Sequence, residues 1–250
     1  MLDNILLILT DQQRWDSLGC YGTMGVHTPN LDRLASVGTR YTQCYVNNPI
    51  STPSRASLWT GKHLPGHGVY KLHDVLPSDE ILFPYFLREA GYDTALFGKL
   101  HVAGHIWEAK YRHQFDGFNT YEWAPDPNGY RGCETAYSRW LAIHHPAILD
   151  RWKRYGNKIG HVPVEAHFTT WAANRTIDYL QRMQGASQPF FCCMSIYSSS
   201  TKILLFYIHT CLVFKGFIYL IEEVSCLLLL SFCFLYKMCI KNFPGFAGPP

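Results

Sequence analysis

The chain has 250 residues, 22 basic and 19 acidic side chains, a net charge of +3 and 48% apolar residues, enough for a sizeable globular core. No basic run with interleaved aromatics occurs, so nucleic acid is not an expected partner. The early cysteines, Cys20, Cys44 and Cys133, fit neither zinc-site spacing nor a disulfide framework. The chain opens on an apolar segment with no basic stretch ahead of it, so the expected setting is cytoplasmic.

Asn4 to Thr10 is a continuous apolar run, the pattern of a strand buried on both faces of a parallel sheet. Ligands of open α/β sheets lie beyond the carboxyl ends of the strands, so Asp11 stands where a site forms. A hard carboxylate there suits a divalent metal, although loop or capping duty is the commoner fate of a single Asp. Next comes His27-Thr28-Pro29-Asn30-Leu31-Asp32-Arg33-Leu34-Ala35-Ser36-Val37-Gly38, with Thr28 as N-cap, Pro29 as first helical residue and Gly38 as terminator. Ser51-Thr52-Pro53-Ser54-Arg55-Ala56-Ser57-Leu58-Trp59-Thr60-Gly61 predicts a helix over Pro53 to Thr60 with Ser51 or Thr52 at its cap. The positive end of that helix favours an anion beside residue 51, and Arg55 lies one turn in. A helix ending at Ala90 with Gly91 at C′ then feeds a strand from Asp93 to Phe97. Lys99 and His101 follow it, and in an extended segment their spacing points both side chains one way.

These runs together resemble the type I sulfatases. Ser51 to Gly61 is similar to the family signature that begins with Cys or Ser, then Pro, Ser and Arg. Gly91-Tyr92-Asp93-Thr94-Ala95-Leu96-Phe97-Gly98-Lys99-Leu100-His101 is similar to the second signature, and the His27-to-Ala35 run has its counterpart too. The resemblance covers residues 3 to about 197, with the elements in family order. It implies an alkaline-phosphatase-like α/β fold, a mostly parallel sheet between helices, and a sulfate-ester hydrolase. By that match Ser51 is oxidised to formylglycine by a maturation enzyme. A serine would be trapped as its sulfate ester, whereas the geminal diol of hydrated formylglycine has a second hydroxyl that expels sulfate. Arg55, Lys99 and His101 are the implied catalytic partners, and Asp11, residue 51 and Gln12 the implied metal ligands. Gln12 stands where many sulfatases have a second Asp, as in the choline-sulfatase and phosphonate-monoester-hydrolase branches. The implied ion is calcium, with magnesium or manganese as alternatives, and the implied substrate a small-molecule or glycan sulfate ester. A phosphonate or phosphate ester hydrolase of the same superfamily is the alternative enzyme, and a non-catalytic, membrane-associated remnant the alternative without activity.

Other polar residues receive plainer readings. His63 and His67 read as structural or cleft-lining, and Asn47-Asn48 as turn residues or hydrogen-bond partners of substrate. The Asn174-Arg175-Thr176 sequon falls inside a predicted helix, roughly His167 to Met183, and is discounted. The Tyr111-to-Gly132 loop shapes a cleft without naming a substrate.

Residues 1–197 therefore read as the amino-terminal part of a sulfatase domain. Residues 198–250 differ in character: no Asp, no Arg, a single histidine (His209), and most of the nine cysteines from Cys192 onward. Ile203 to Ile221 and Val224 to Ile240 approach membrane-span length, but Lys215 and the short second stretch argue against a hairpin. A mixture of Leu, Phe, Ile, Tyr, Cys and Lys without periodicity points instead to translated non-coding or out-of-frame sequence. No Asp-His-Gly or Asp-Asn-Gly run occurs, so the family's second metal-ligand pair is missing, and a sheet without later strands is expected to leave the first strand's neighbours partly uncovered.

Overall fold

The computed structural model describes residues 2–127, 133–156 and 162–197, and the backbone of two further strands at 226–231 and 237–241. The central strand is β1, Ile5–Thr10. It is followed by α1 (Pro29–Val37), β2 (Thr39–Arg40), α2 (Ser51–Thr60), α3 (Leu64–His67) and α4 (Phe83–Glu89). Next come β3 (Asp93–Gly98), α5 (His105–Lys110), β4 (Thr120–Trp123), α6 (Ala136–His144), α7 (Pro146–Tyr155) and α8 (Phe168–Met183). The chain returns to the sheet with β5 (Phe190–Ile196), β6 (Cys226–Ser231) and β7 (Lys237–Lys241).

The strand order is β2-β7-β6-β1-β5-β3-β4. The β1–β5, β1–β6, β3–β5 and β3–β4 pairs are parallel, and the two pairs made by β7 are antiparallel. Period-two alternation splits the apolar side chains between two cores. Leu6, Ile8, Ala95, Phe97 and Met194 face Trp171 and Tyr179 of α8. Leu7, Leu9, Leu96, Phe191 and Cys193 face Ala56 and Trp59 of α2. Both sheet faces are therefore covered, as continuous apolar strands require.

Register brings three strand ends level. Thr10 pairs with Ile196, and Gly98 with Ser195. The Asp11 amide donates to the Ile196 carbonyl at 3.2 Å and the Lys99 amide to the Ser195 carbonyl at 3.0 Å. Gly98 is required here: its φ is +112°, and a Cβ would lie 1.9 Å from the Ser195 carbonyl oxygen.

β1 is paired along both of its edges. β6 pairs with it from Ile5↔Cys226 to Thr10↔Ser231, because an apolar run of Leu227 to Leu230 satisfies a buried edge as well as any strand. The rest of the anomalous tail, including all of the first membrane-length stretch and part of the second, lies outside the described residues. Among the described residues no helix is long and apolar enough to cross a membrane. The sequon is unfavourably placed, since Thr176 is buried in α8 and donates to the Ala172 carbonyl.

Candidate active site

Helix α2 begins at Ser51, two residues earlier than the sequence pattern predicts, with Ile50 as N-cap. Neither hydroxyl is spent on capping. Ser51 Oγ lies 3.0 Å from Nδ1 of His101, and Thr52 Oγ1 lies 3.3 Å from its Nε2. Pro53 sits in the first turn, where its missing N–H costs nothing, and almost every residue from Thr52 to Trp59 is buried. Asn48 accepts a bond from the Ile50 amide at 2.8 Å, the turn role expected of it.

Arg55 is fully buried. One arm donates to Asp11 Oδ1 at 3.0 Å, the other to the Lys99 carbonyl at 2.8 Å and to Ser195 Oγ at 2.9 Å. Lys99 Nζ donates to the other oxygen of Asp11. Asp11, Arg55 and Lys99 thus form a buried triad of net charge +1 near the amino end of α2. The segment after β3 is not extended as expected: His101 has φ +61°, a left-handed value for a non-glycine residue. That turn sends Lys99 to Asp11 and His101 to Ser51, so the two side chains serve different partners.

The electrostatics follow from burial and proximity. Desolvation alone would raise the Asp11 pKa, but Arg55 and then Lys99 hold it below the ordinary carboxylate range. Burial lowers that of Lys99 despite Asp11 beside it. Burial, then the charge of Lys99 and the neighbouring His105, push His101 well below the usual imidazole range. His101 is therefore a neutral ring near pH 7, offering one acceptor and one donor to the two hydroxyls.

A divalent metal does not fit this donor set. Both oxygens of Asp11 are engaged by cations. Gln12 is exposed, with its backbone at φ +57°, while Gln13 is buried instead. Among the described residues no group of three or more His, Cys, Asp or Glu is arranged to hold an ion.

Sequence reasoning gave Thr52 only a capping role and passed over Ser195. Thr52 occupies a variable position of the motif, and Ser195 is the one hydroxyl in an apolar strand, which was its only signal. It also passed over Trp59, whose indole N–H donates to the Leu100 carbonyl at 3.3 Å. His63 is exposed. His67 is structural: its Nδ1 accepts from the Val69 amide at 3.1 Å, so Nε2 carries the proton and donates to Ser57 Oγ at 2.8 Å.

The Sulfatase family model matches residues 3–200. N-acetylgalactosamine-6-sulfatase of Canis lupus familiaris is 32% identical over 206 residues, covering 75% of this chain and 38% of that protein. The uncharacterized sulfatase YidJ of Escherichia coli K12 is 30% identical over 199 residues, covering 77% of this chain and 37% of that protein. The chain thus spans well under half the length of these relatives. Among solved structures, Ps i-CgsB in complex with k-i-k-neocarrahexaose aligns over 97% of this chain and 66% of its own, with a TM-score of 0.70 at 16% identity. The phosphonate monoester hydrolase of Agrobacterium radiobacter aligns over 96% and 68%, with a TM-score of 0.68 at 16% identity. These two establish likeness of fold, the mostly parallel, helix-flanked sheet of alkaline-phosphatase-like sulfatases. Together with the family match over most of its length, they leave one assignment: this chain belongs to the sulfatase family.

Proposed function

We propose that the protein to which these residues belong hydrolyses a sulfate monoester, of a glycan or a small molecule, at a formylglycine made from Ser51. The observation that carries the reading is the Ser51–His101 contact at the amino end of α2, beside a buried triad of net positive charge. Members of the family generally work with a formylglycine and a divalent metal. Formylglycine supplies a geminal diol whose second hydroxyl expels sulfate. The chain's own residues do the rest. The helix end, Lys99 and Arg55 attract the sulfate oxygens. Neutral His101 is placed to take a proton from the attacking hydroxyl at residue 51. Asp11 holds both cations in place.

The glycan reading draws on the names of relatives, an N-acetylgalactosamine-6-sulfatase and a neocarrahexaose complex. A phosphonate or phosphate ester is the second reading, supported by Ser51 Oγ standing ready, unmodified, against an imidazole acceptor. We read β6 as a strand that closes the sheet at β1, with Ser231 level with Thr10.

Expression with a serine-type maturation enzyme, followed by mass spectrometry of the tryptic peptide Tyr41 to Arg55, tests the first reading. A loss of about 2 Da at Ser51 is expected. An unmodified peptide from a competent host, with turnover of a phosphonate ester, would favour the second.

A further inference from the structure

His101 sits in a left-handed backbone conformation that non-glycine residues adopt only when their surroundings impose it. The surroundings here are identifiable. Ahead of His101, the carbonyls of Lys99 and Leu100 accept from Arg55 and Trp59. After it, the Val102 carbonyl accepts from the Leu76 amide at 3.0 Å. The amides of Val102 and Ala103 point to a single acceptor. Glu108 on α5 takes both through Oε1, at 2.7 and 3.3 Å, while its Oε2 accepts from the Trp123 indole at 2.9 Å.

We propose that Glu108 is a positioning residue for His101, fixing the backbone turn that aims the imidazole at Ser51. The proposal rests on the reading of His101 as part of the sulfatase site. Its chemistry is specific. The carboxylate is buried and its three bonded donors are all neutral, an arrangement that costs desolvation and is kept only where an acceptor must serve several N–H groups at once. Burial accordingly raises its pKa, with the bonds from Trp123 and Val102 opposing the rise. The same helix steadies the ring as well as the backbone. His105 packs against His101 with centroids 4.8 Å apart, and its Nδ1 lies 3.3 Å from Asp126 Oδ2.

Glu108→Gln separates positioning from bulk. The amide has the same shape but carries one NH₂, which must face either the two backbone amides or the indole, and both are donors. In the 250-residue chain with Ser51 unconverted, the ring ¹H–¹⁵N signals of His101, assigned with H101Q, are expected to shift and broaden. Those of His67 stay in place. The Val102 amide should exchange at least about tenfold faster, the loss of one charge-assisted bond. Trp123→Phe removes only the indole donor and should leave both readouts unchanged. The proposal is overturned if E108Q leaves His101 unmoved, or if W123F moves it equally. Should E108Q fail to fold, the native chain decides: Val102 exchanging as slowly as the β3 amides supports the clamp, and exchange as fast as the exposed loop at Ser78 overturns it. No readout involves sulfate hydrolysis, so failure of the sulfatase reading is seen separately.

Discussion

β3 pairs in parallel with β4 and β5, and β6 pairs in parallel with β1 and antiparallel with β7; both end level with the site, and the side chains described there come from the β3 side. β3 passes through Gly98, which lets the backbone meet Ser195, and delivers Lys99 to Asp11 and His101 to Ser51. β6 ends at Ser231 beside Thr10. The backbone accepts either strand, because ladder hydrogen bonds ask only for extended, buried, apolar residues. The site asks for particular atoms at the strand's carboxyl end. Closing the sheet and completing the site are separate requirements.

The largest expected effect tests that separation directly. Even with residue 51 converted, this chain should hydrolyse an activated aryl sulfate at least about a thousandfold more slowly than a full-length sulfatase, since one misplaced electrostatic group already costs that much. Multiple turnovers with Ca²⁺, Mg²⁺ or Mn²⁺, abolished by Asp11→Ala, would break the comparison and show that the β6 side completes the site.

Next in size is the triad. Asp11→Ala leaves Lys99 and Arg55 buried without their counter-charge, and urea unfolding should show a loss of about 3–5 kcal/mol. A loss below about 1 kcal/mol, the scale of an exposed pair, would mean that water reaches the triad. Limited trypsin digestion sharpens the other half. β6 should remain with the resistant core, since it is laddered to β1 from Ile5 to Thr10. A core that ends near Tyr197 would show that the sheet holds without it.

These expectations rest on how much the sequence disclosed. The central strand, the Pro29 helix and the Gly91 turn were legible because apolar periodicity, a Pro at N1 and a left-handed glycine each carry a local physical cause. Ser51, Arg55, Lys99, His101 and Asp11 were legible as a group through their motif, and the structure brings all five together. The partition of that group was not. Spacing suggested that Lys99 and His101 share a direction, and only the left-handed turn at His101, imposed by residues as remote as Glu108 and Leu76, sends them apart. Gln12 read as a ligand by position, but its backbone turns away from extended geometry and leaves it exposed. β6 escaped notice because a composition that looks foreign can still satisfy a sheet edge.

Smaller effects concern pH and a single hydroxyl. The Asp11 carboxyl is held below its ordinary range, so its stabilisation is whole above about pH 4 and is lost as pH falls through the depressed folded value. Glu108, raised by burial, has the opposite sign and loses stability as pH rises through its folded value. Denaturation of the wild-type chain and Asp11→Asn from pH 7 to 3 should show a stability gap that narrows only at the acid end. A gap that stays constant with pH would assign Asp11's role to packing rather than charge. Thr52→Val should cost about 1 kcal/mol through the lost contacts to His101 and to the His73 amide.

The pairing of β1 also sets an order of events in time. Ile5 pairs with Phe191 and Thr10 with Ile196, so Asp11 is synthesised long before its β5 neighbour. Contacts so distant along the chain form slowly, because loop closure precedes their reward. Until then the nascent chain carries an apolar strand without that partner, the state in which partly folded chains aggregate. Asp11 is made long before the strand that helps to place it.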